Sequence, residues 1–233
     1  MDNYQELISV IALTMGVGWA SGINLYAALL VLGLAGATGN VQLPAELQVL
    51  QDPLVIFAAG AMYLVEFFAD KVPGVDTGWD TLHTFIRIPA GAMLAAGAVG
   101  DVTPALEIAA GIMGGTMASA SHLTKASTRA LINTSPEPFT NWVASISEDL
   151  MVLGGLWAMF NHPLLFLCLM ILFIALVIWL LPKLLRLVVR IFRKIGQWLG
   201  LVEKPEEKPP EGQAAEGQVS ALDTPAELKP AQK

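Results

Sequence analysis

Gly114–Asp149 reads GGTMASASHLTKASTRALINTSPEPFTNWVASISED, and within it an apolar chain abruptly becomes rich in charge and hydroxyl groups. At about 100° per residue on a helix, His122, Lys125, Arg129 and Asn133 share a stripe roughly 80° wide. Leu123, Ala126, Ala130 and Leu131 cover much of the remaining surface, so the polar side is a single seam. Pro136 and Pro138, set among short hydroxyl side chains, stop this helix after Asn133 and allow another from about Phe139. That second helix, running to about Phe160, puts Asn141, Ser145 and Glu148 on one face with Asp149 beside them. Adjacent acids so far inside an apolar span suit a proton carrier as well as a cation ligand.

Outward from this stretch the chain is too apolar for a soluble domain. Of 233 residues, 55% are hydrophobic and 14% charged, with a mean hydropathy of +0.60, where a soluble domain carries about a quarter charged residues. The fold class that follows is all-α, a polytopic membrane helix bundle of about six spans. Charge is distributed in blocks. Residues 1–182, read as the transmembrane domain, hold 4 Lys/Arg against 13 Asp/Glu. Residues 183–200 hold five basic groups and no acid and read as a basic amphipathic helix lying on anionic lipids. Residues 201–233, rich in Pro, Glu, Ala and Gly, read as a disordered acidic tail. Cys168 is the single cysteine, which excludes an intrachain disulfide, argues against a thiolate metal cluster and reads as packing.

The first span, Leu7–Ala35, is longer than a bilayer needs and is interrupted by Gly16, Gly18, Ser21 and Gly22. A kink, an unwound turn or a short interfacial piece is expected around Gly16–Asn24, with Asn24 either bonding a neighbouring helix or set with freed backbone at a ligand site. No Lys or Arg precedes this apolar run, so it lacks the basic region of a secretory signal and reads as a retained helix. A loop over Gly36–Gln51, with a short helix after Pro44, leads to a second span at Pro53–Ala69. Tyr63, Glu66 and Asp70 lie on one face there at i, i+3 and i+7. Val72–Trp79 reads as a turn, and the third span opens with Asp80, His83 and Arg87 at the spacing that recurs in His122, Lys125 and Arg129. Pro89 should bend it. A sixth, uncharged span runs over Leu164–Leu181.

The basic collar places the C-terminus on the cytoplasmic side, and counting back through six spans places the N-terminus there too. The three outer connections this gives carry no Lys or Arg. A short internal echo pairs GVGWASGINLYA from Gly16 with GGTMASASHLTK from Gly114. Three spans per unit would make the halves an inverted repeat, as in many transporters.

Several runs resemble a bacterial membrane family of unknown function, DUF4126. They are Ala20–Tyr26 (ASGINLY), Tyr63 through Glu66 to Asp70–Asp76 (DKVPGVD), Trp79-Asp80 with His83–Arg87 (HTFIR), and His122–Lys125 (HLTK) through Asn133–Phe139 (NTSPEPF) to Glu148-Asp149. The resemblance spans about residues 18–160 and implies a shared membrane fold, with the cytoplasmic membrane of a bacterium as its place. It implies no established activity.

The leading functional expectation is a secondary transporter or flippase for a small anionic or phosphate-bearing substrate. Asn24, His83, Arg87, His122, Lys125, Arg129 and Asn133 would bind it through charge-assisted bonds, and Glu66, Asp70, Asp80, Glu148 and Asp149 would carry protons or an ion. A divalent-cation transporter or metal-binding membrane protein is the second expectation, since carboxylate and imidazole suit Mn, Fe or Zn; Lys125 and Arg129 in the same stripe oppose it. An intramembrane enzyme acting on a lipid phosphate is a third, without an HExxH, GxSxG or P-loop pattern to support it. A scaffold whose charges form a structural network is the fourth. No cofactor motif and no nucleic-acid module is visible, and an oligomer is compatible with the pattern.

Overall fold

The computed structural model describes residues 2–134 and 138–198, whose regular structure is helical, without strands. The expected tail at 201–233 and part of the Pro136–Pro138 turn lie outside the described residues. Six long helices carry the chain: α1 (Asp2–Ala37), α2 (Pro53–Ala69), α3 (Val75–Ala98), α4 (Pro104–Ile132), α5 (Pro138–Asn161) and α6 (Pro163–Trp198), with a short 3-10 helix at Ala45–Gln51. The body of the molecule extends to Val189, and Arg190 begins a separate unit. All the chemistry below lies in the body.

Local sequence accounts for most boundaries. Asp52 caps α2 by accepting the Leu54 N–H at 2.8 Å, with Pro53 in the first turn where a missing N–H costs nothing. Val72–Trp79 is a turn only in its first part, because α3 already begins at Val75. The cause is local: Gly74 adopts φ +85°, and the buried Asp76 carboxylate accepts the N–H groups of Gly74 and Thr77 at 2.8 and 2.6 Å. A turn-forming aspartate thus becomes part of a helix start. Pro89 and Pro182 sit inside α3 and α6 without ending them. Cys168 is exposed on α6 rather than packed inside.

The expected break in the first helix is confined to one residue. Asn24 has φ −146° and ψ 93°, while the glycines before it remain helical. Those glycines serve contact instead. A Cβ on Gly18 would lie 2.7 Å from the Cα and carbonyl oxygen of Gly114, one on Gly22 would collide with Ala118 and Ser121, and one on Gly114 would collide with Ala95 of α3. Helices α1, α3 and α4 therefore meet nearly backbone to backbone. The two segments of the internal echo face each other across this seam, so close contact alone explains why both carry small residues at matching positions.

Three helical stretches are long and apolar enough to cross a membrane: Tyr4–Ala37, Phe139–Asn161 and Pro163–Gln197. The 3-10 helix and α2, bent by 69°, make a fourth if they count as one span. Helices α3 and α4, with 24 and 29 residues, have spanning length at about 1.5 Å per residue, but are not in that set. The bundle's outer surface is rich in large apolar side chains such as Phe57, Phe85, Leu150 and Ile171, as expected of a protein solvated by lipid.

Candidate functional site

The break at Asn24 creates the first element of the site. In a continuous helix the Ala27 N–H would bond the Ile23 carbonyl. Here Asn24 Oδ1 accepts that N–H at 2.9 Å, and the freed Ile23 carbonyl accepts from Lys125 Nζ at 3.1 Å. Asn24 Nδ2 donates in turn to Asp149 Oδ1 at 3.0 Å. One amide side chain therefore closes a gap in α1, presents a carbonyl to α4 and ties α1 to α5.

Lys125 is the centre of the second element. Its ammonium lies 2.8 Å from Asp70, 3.5 Å from Glu66, 3.6 Å from Glu148 and 3.7 Å from Asp80. Two guanidinium groups flank it. Arg87, fully buried, reaches Glu66 at 2.7 Å and Asp80 at 2.9 Å. Arg129, also fully buried, holds Glu148 through two bonds of 3.0 and 2.7 Å and donates to the backbone carbonyls of Asp70 and Asn141 at 2.9 and 3.1 Å. The repeated i, i+3, i+7 spacing of the sequence thus brings charges of α2, α3, α4 and α5 to one place.

His122 belongs to this network as a neutral group. Arg87 can only donate, so the 3.3 Å contact from Arg87 makes His122 Nδ1 an acceptor, and the proton sits on Nε2, facing Thr84 Oγ1 at 2.7 Å. The Thr84 hydroxyl hydrogen goes to the Asp80 carbonyl at 3.0 Å. Lys125, Arg87 and Arg129 therefore share this cluster with four carboxylates.

The remaining expected residues divide between two satellites. His83 stacks on Trp79 with ring centroids 4.2 Å apart, and its nitrogens meet the Trp79 carbonyl at 2.9 Å and the Tyr26 hydroxyl at 3.1 Å. It makes an aromatic corner beside the network and has no direct bond to the network's cations. Asn133 donates to both Asp76 oxygens at 2.8 and 2.9 Å and to Thr77 Oγ1 at 2.8 Å, and accepts from Asn141 at 2.7 Å. This second satellite fastens the end of α4 to the start of α3. Glu148 and Asp149, neighbours in sequence, point to different partners, Arg129 and Asn24. In the loop after α2, Lys71 lies 3.0 Å over the Phe67 ring and donates to Ser145 Oγ at 3.2 Å. Burial pushes its ammonium below the ordinary lysine range.

Sequence reading missed Asp76, Thr84 and Tyr26 as members of the polar interior. Asp76 stood in a Pro-Gly-Val-Asp turn that looked like surface. Thr84 and Tyr26 carry no charge, and the ring nitrogens they meet, of His122 and His83, come from other helices.

A cavity of about 220 Å³ touches the network. Ile23 of α1, Lys125 of α4 and Glu148 of α5 form its polar wall with the hydroxyls of Ser121, Thr124, Thr128 and Ser147. Ala144, Met151 and Phe173 form the apolar part. Among the described residues no set of three His, Cys, Asp or Glu side chains could hold a metal ion.

Residues 11–183 match the family model described as "Domain of unknown function (DUF4126)". No curated protein and no solved structure matches the chain.

Proposed function

The chain belongs to the DUF4126 family and is a membrane-associated helical protein, and from that premise we propose that it works as a secondary transporter coupled to proton exchange. The carrying observation is that Glu148, one of the four carboxylates around Lys125, also borders the cavity between α4 and α5. A substrate there is within reach of a group that can change charge. With His122 neutral, the ionised network has one more carboxylate than cation, and an uncompensated charge in a buried site is costly. Uptake of one proton removes the excess, so binding and release of a charged substrate can be balanced by a proton. The broken helix beside the cavity is a recurring feature of substrate sites in secondary transporters. The arrangement in the membrane would be six spans, with the charged faces of α3 and α4 turned into the bundle, both ends of the chain cytoplasmic, and Lys183–Lys194 on anionic lipid.

The expectation of an anionic substrate needs the acids to be protonated first, because Arg87, Lys125 and Arg129 are each already held by protein acceptors at 3.1 Å or less. The same observation favours a second reading, a structural ion network in a membrane scaffold. The metal reading finds no support in the grouping of side chains.

Proteoliposomes with a trapped pH indicator separate the two. Under an imposed gradient, a panel of small amines and anions should include one that drives proton movement through the wild type, and Glu148→Gln should abolish it in a protein that still folds. A Glu148→Gln protein that unfolds early, alongside a wild type that moves no protons with any of the panel, supports the scaffold.

A further inference from the structure

The sign of the substrate can be read from the cavity, and this inference rests on the transporter reading. Three of its four hydroxyls have their hydrogens engaged with backbone carbonyls: Ser121 to Trp19 at 2.9 Å, Thr124 to Ala120 at 2.8 Å and Ser147 to Val143 at 2.6 Å. Their oxygens keep lone pairs and have no hydrogen left to donate. Lys125 directs two N–H groups to Asp70 and the Ile23 carbonyl. Glu148 is the network carboxylate with the most exposed side chain, 13% against 4% or less for Glu66, Asp70 and Asp80. The Thr128 hydroxyl and the third N–H of Lys125 apart, the wall is therefore a set of acceptors over a network with surplus negative charge, which is the complement of a donor bearing positive charge.

The apolar part of the lining excludes a bare ion as the best fit. Phe173 adds an aromatic ring to the lining, and Met151 and Ala144 offer surface to carbon. The mouth opens sideways: Ser147 and Met151 at the rim are exposed, next to Val143 and Leu150 on the apolar outer face of α5. We propose that the cavity between α4 and α5 binds a small organic ammonium, with its N–H groups on Glu148 and the hydroxyl oxygens and its carbon chain toward Met151 and Phe173. Loading the ammonium would offset the surplus carboxylate as a proton does, so that the two exchange.

The test is thermal unfolding of the full chain in detergent against n-butylammonium, n-butyl phosphate, 1-butanol and matched concentrations of NaCl and MnCl2. A ligand that binds the folded state at tenfold its Kd should raise the midpoint by about 3–6 °C. We expect this with n-butylammonium alone, and its loss in Ser147→Leu, which fills the rim without touching the ion network. Glu148→Gln should abolish it as well, but Ser147→Leu carries the test if Glu148→Gln does not fold. A shift with n-butyl phosphate that Ser147→Leu removes overturns the ammonium proposal and leaves the transporter standing with an anion. A shift with NaCl or MnCl2 at matched concentration, or none with any probe, overturns it as well. The proton-flux experiment then judges the transporter by itself.

Discussion

Helices α1 and α4 approach each other in two ways within a few turns. At Gly18 and Gly114 they touch through backbone, with side chains removed. Between Ile23 and Lys125 they are joined by a long cationic side chain that reaches a carbonyl freed by a broken turn. The first contact is tight and apolar and has one arrangement. The second consists of groups that can change partner or protonation. A rigid seam next to a labile cluster is how a helix bundle can hold its shape while a site within it is reset.

The largest effect should come from emptying the cluster. Lys125→Ala leaves four carboxylates around two cations, and loss of one partner of a buried pair costs about 3–5 kcal/mol. Reversible unfolding in mixed micelles should show that loss; a change under 1 kcal/mol would mean that the cluster is hydrated and Lys125 peripheral. The seam should respond next. Gly18→Ala places a Cβ 2.7 Å from backbone atoms of Gly114, which have no rotamer to escape into, and overpacking of this kind costs about 1–3 kcal/mol. An unchanged midpoint would show that α1 and α4 are free to slide apart. Asn24→Ala should cost about 0.6–1.7 kcal/mol, in the range of hydrogen bonds between membrane helices. It should also let the Ala27 amide rebond to the Ile23 carbonyl, which hydrogen exchange would report as slower exchange at Ala27. Faster exchange there would show that α1 stays open without its cap. Glu107→Ala, at an exposed position of α4, should fall within about 0.5 kcal/mol of the wild type.

Much of this site was legible because helical periodicity is strict. Asp80, His83 and Arg87, and His122, Lys125 and Arg129, fall on faces that any helix would align, and an apolar chain gives such charges nowhere to go but inward. Arg87, Lys125 and Arg129 are among its most buried side chains. Periodicity cannot say which helix faces which. It grouped His83 with His122, yet His83 turns to Trp79 and Tyr26 because a stacked ring and a carbonyl four residues back satisfy it locally. It placed the break in α1 among glycines, where helix is weakest in isolation. The seam instead uses those glycines for contact, and the break falls at Asn24, whose side chain can replace the lost carbonyl. Asp76 escaped notice because a turn motif in sequence does not show that its carboxylate is buried against Asn133.

The break in α1 and the charge cluster are one unit, joined through the Ile23 carbonyl. Asn24 and Lys125 share that carbonyl without bonding each other, so a double-mutant cycle with Asn24→Ala and Lys125→Met, read by reversible unfolding, tests the link directly. Coupled residues of this kind deviate from additivity by about 0.5–3 kcal/mol. We predict that Asn24→Ala costs much less once Lys125 is gone, with a coupling energy in that range. Losses that add within experimental error would contradict the account, and would mean that the broken helix and the ion network stand next to each other without depending on each other.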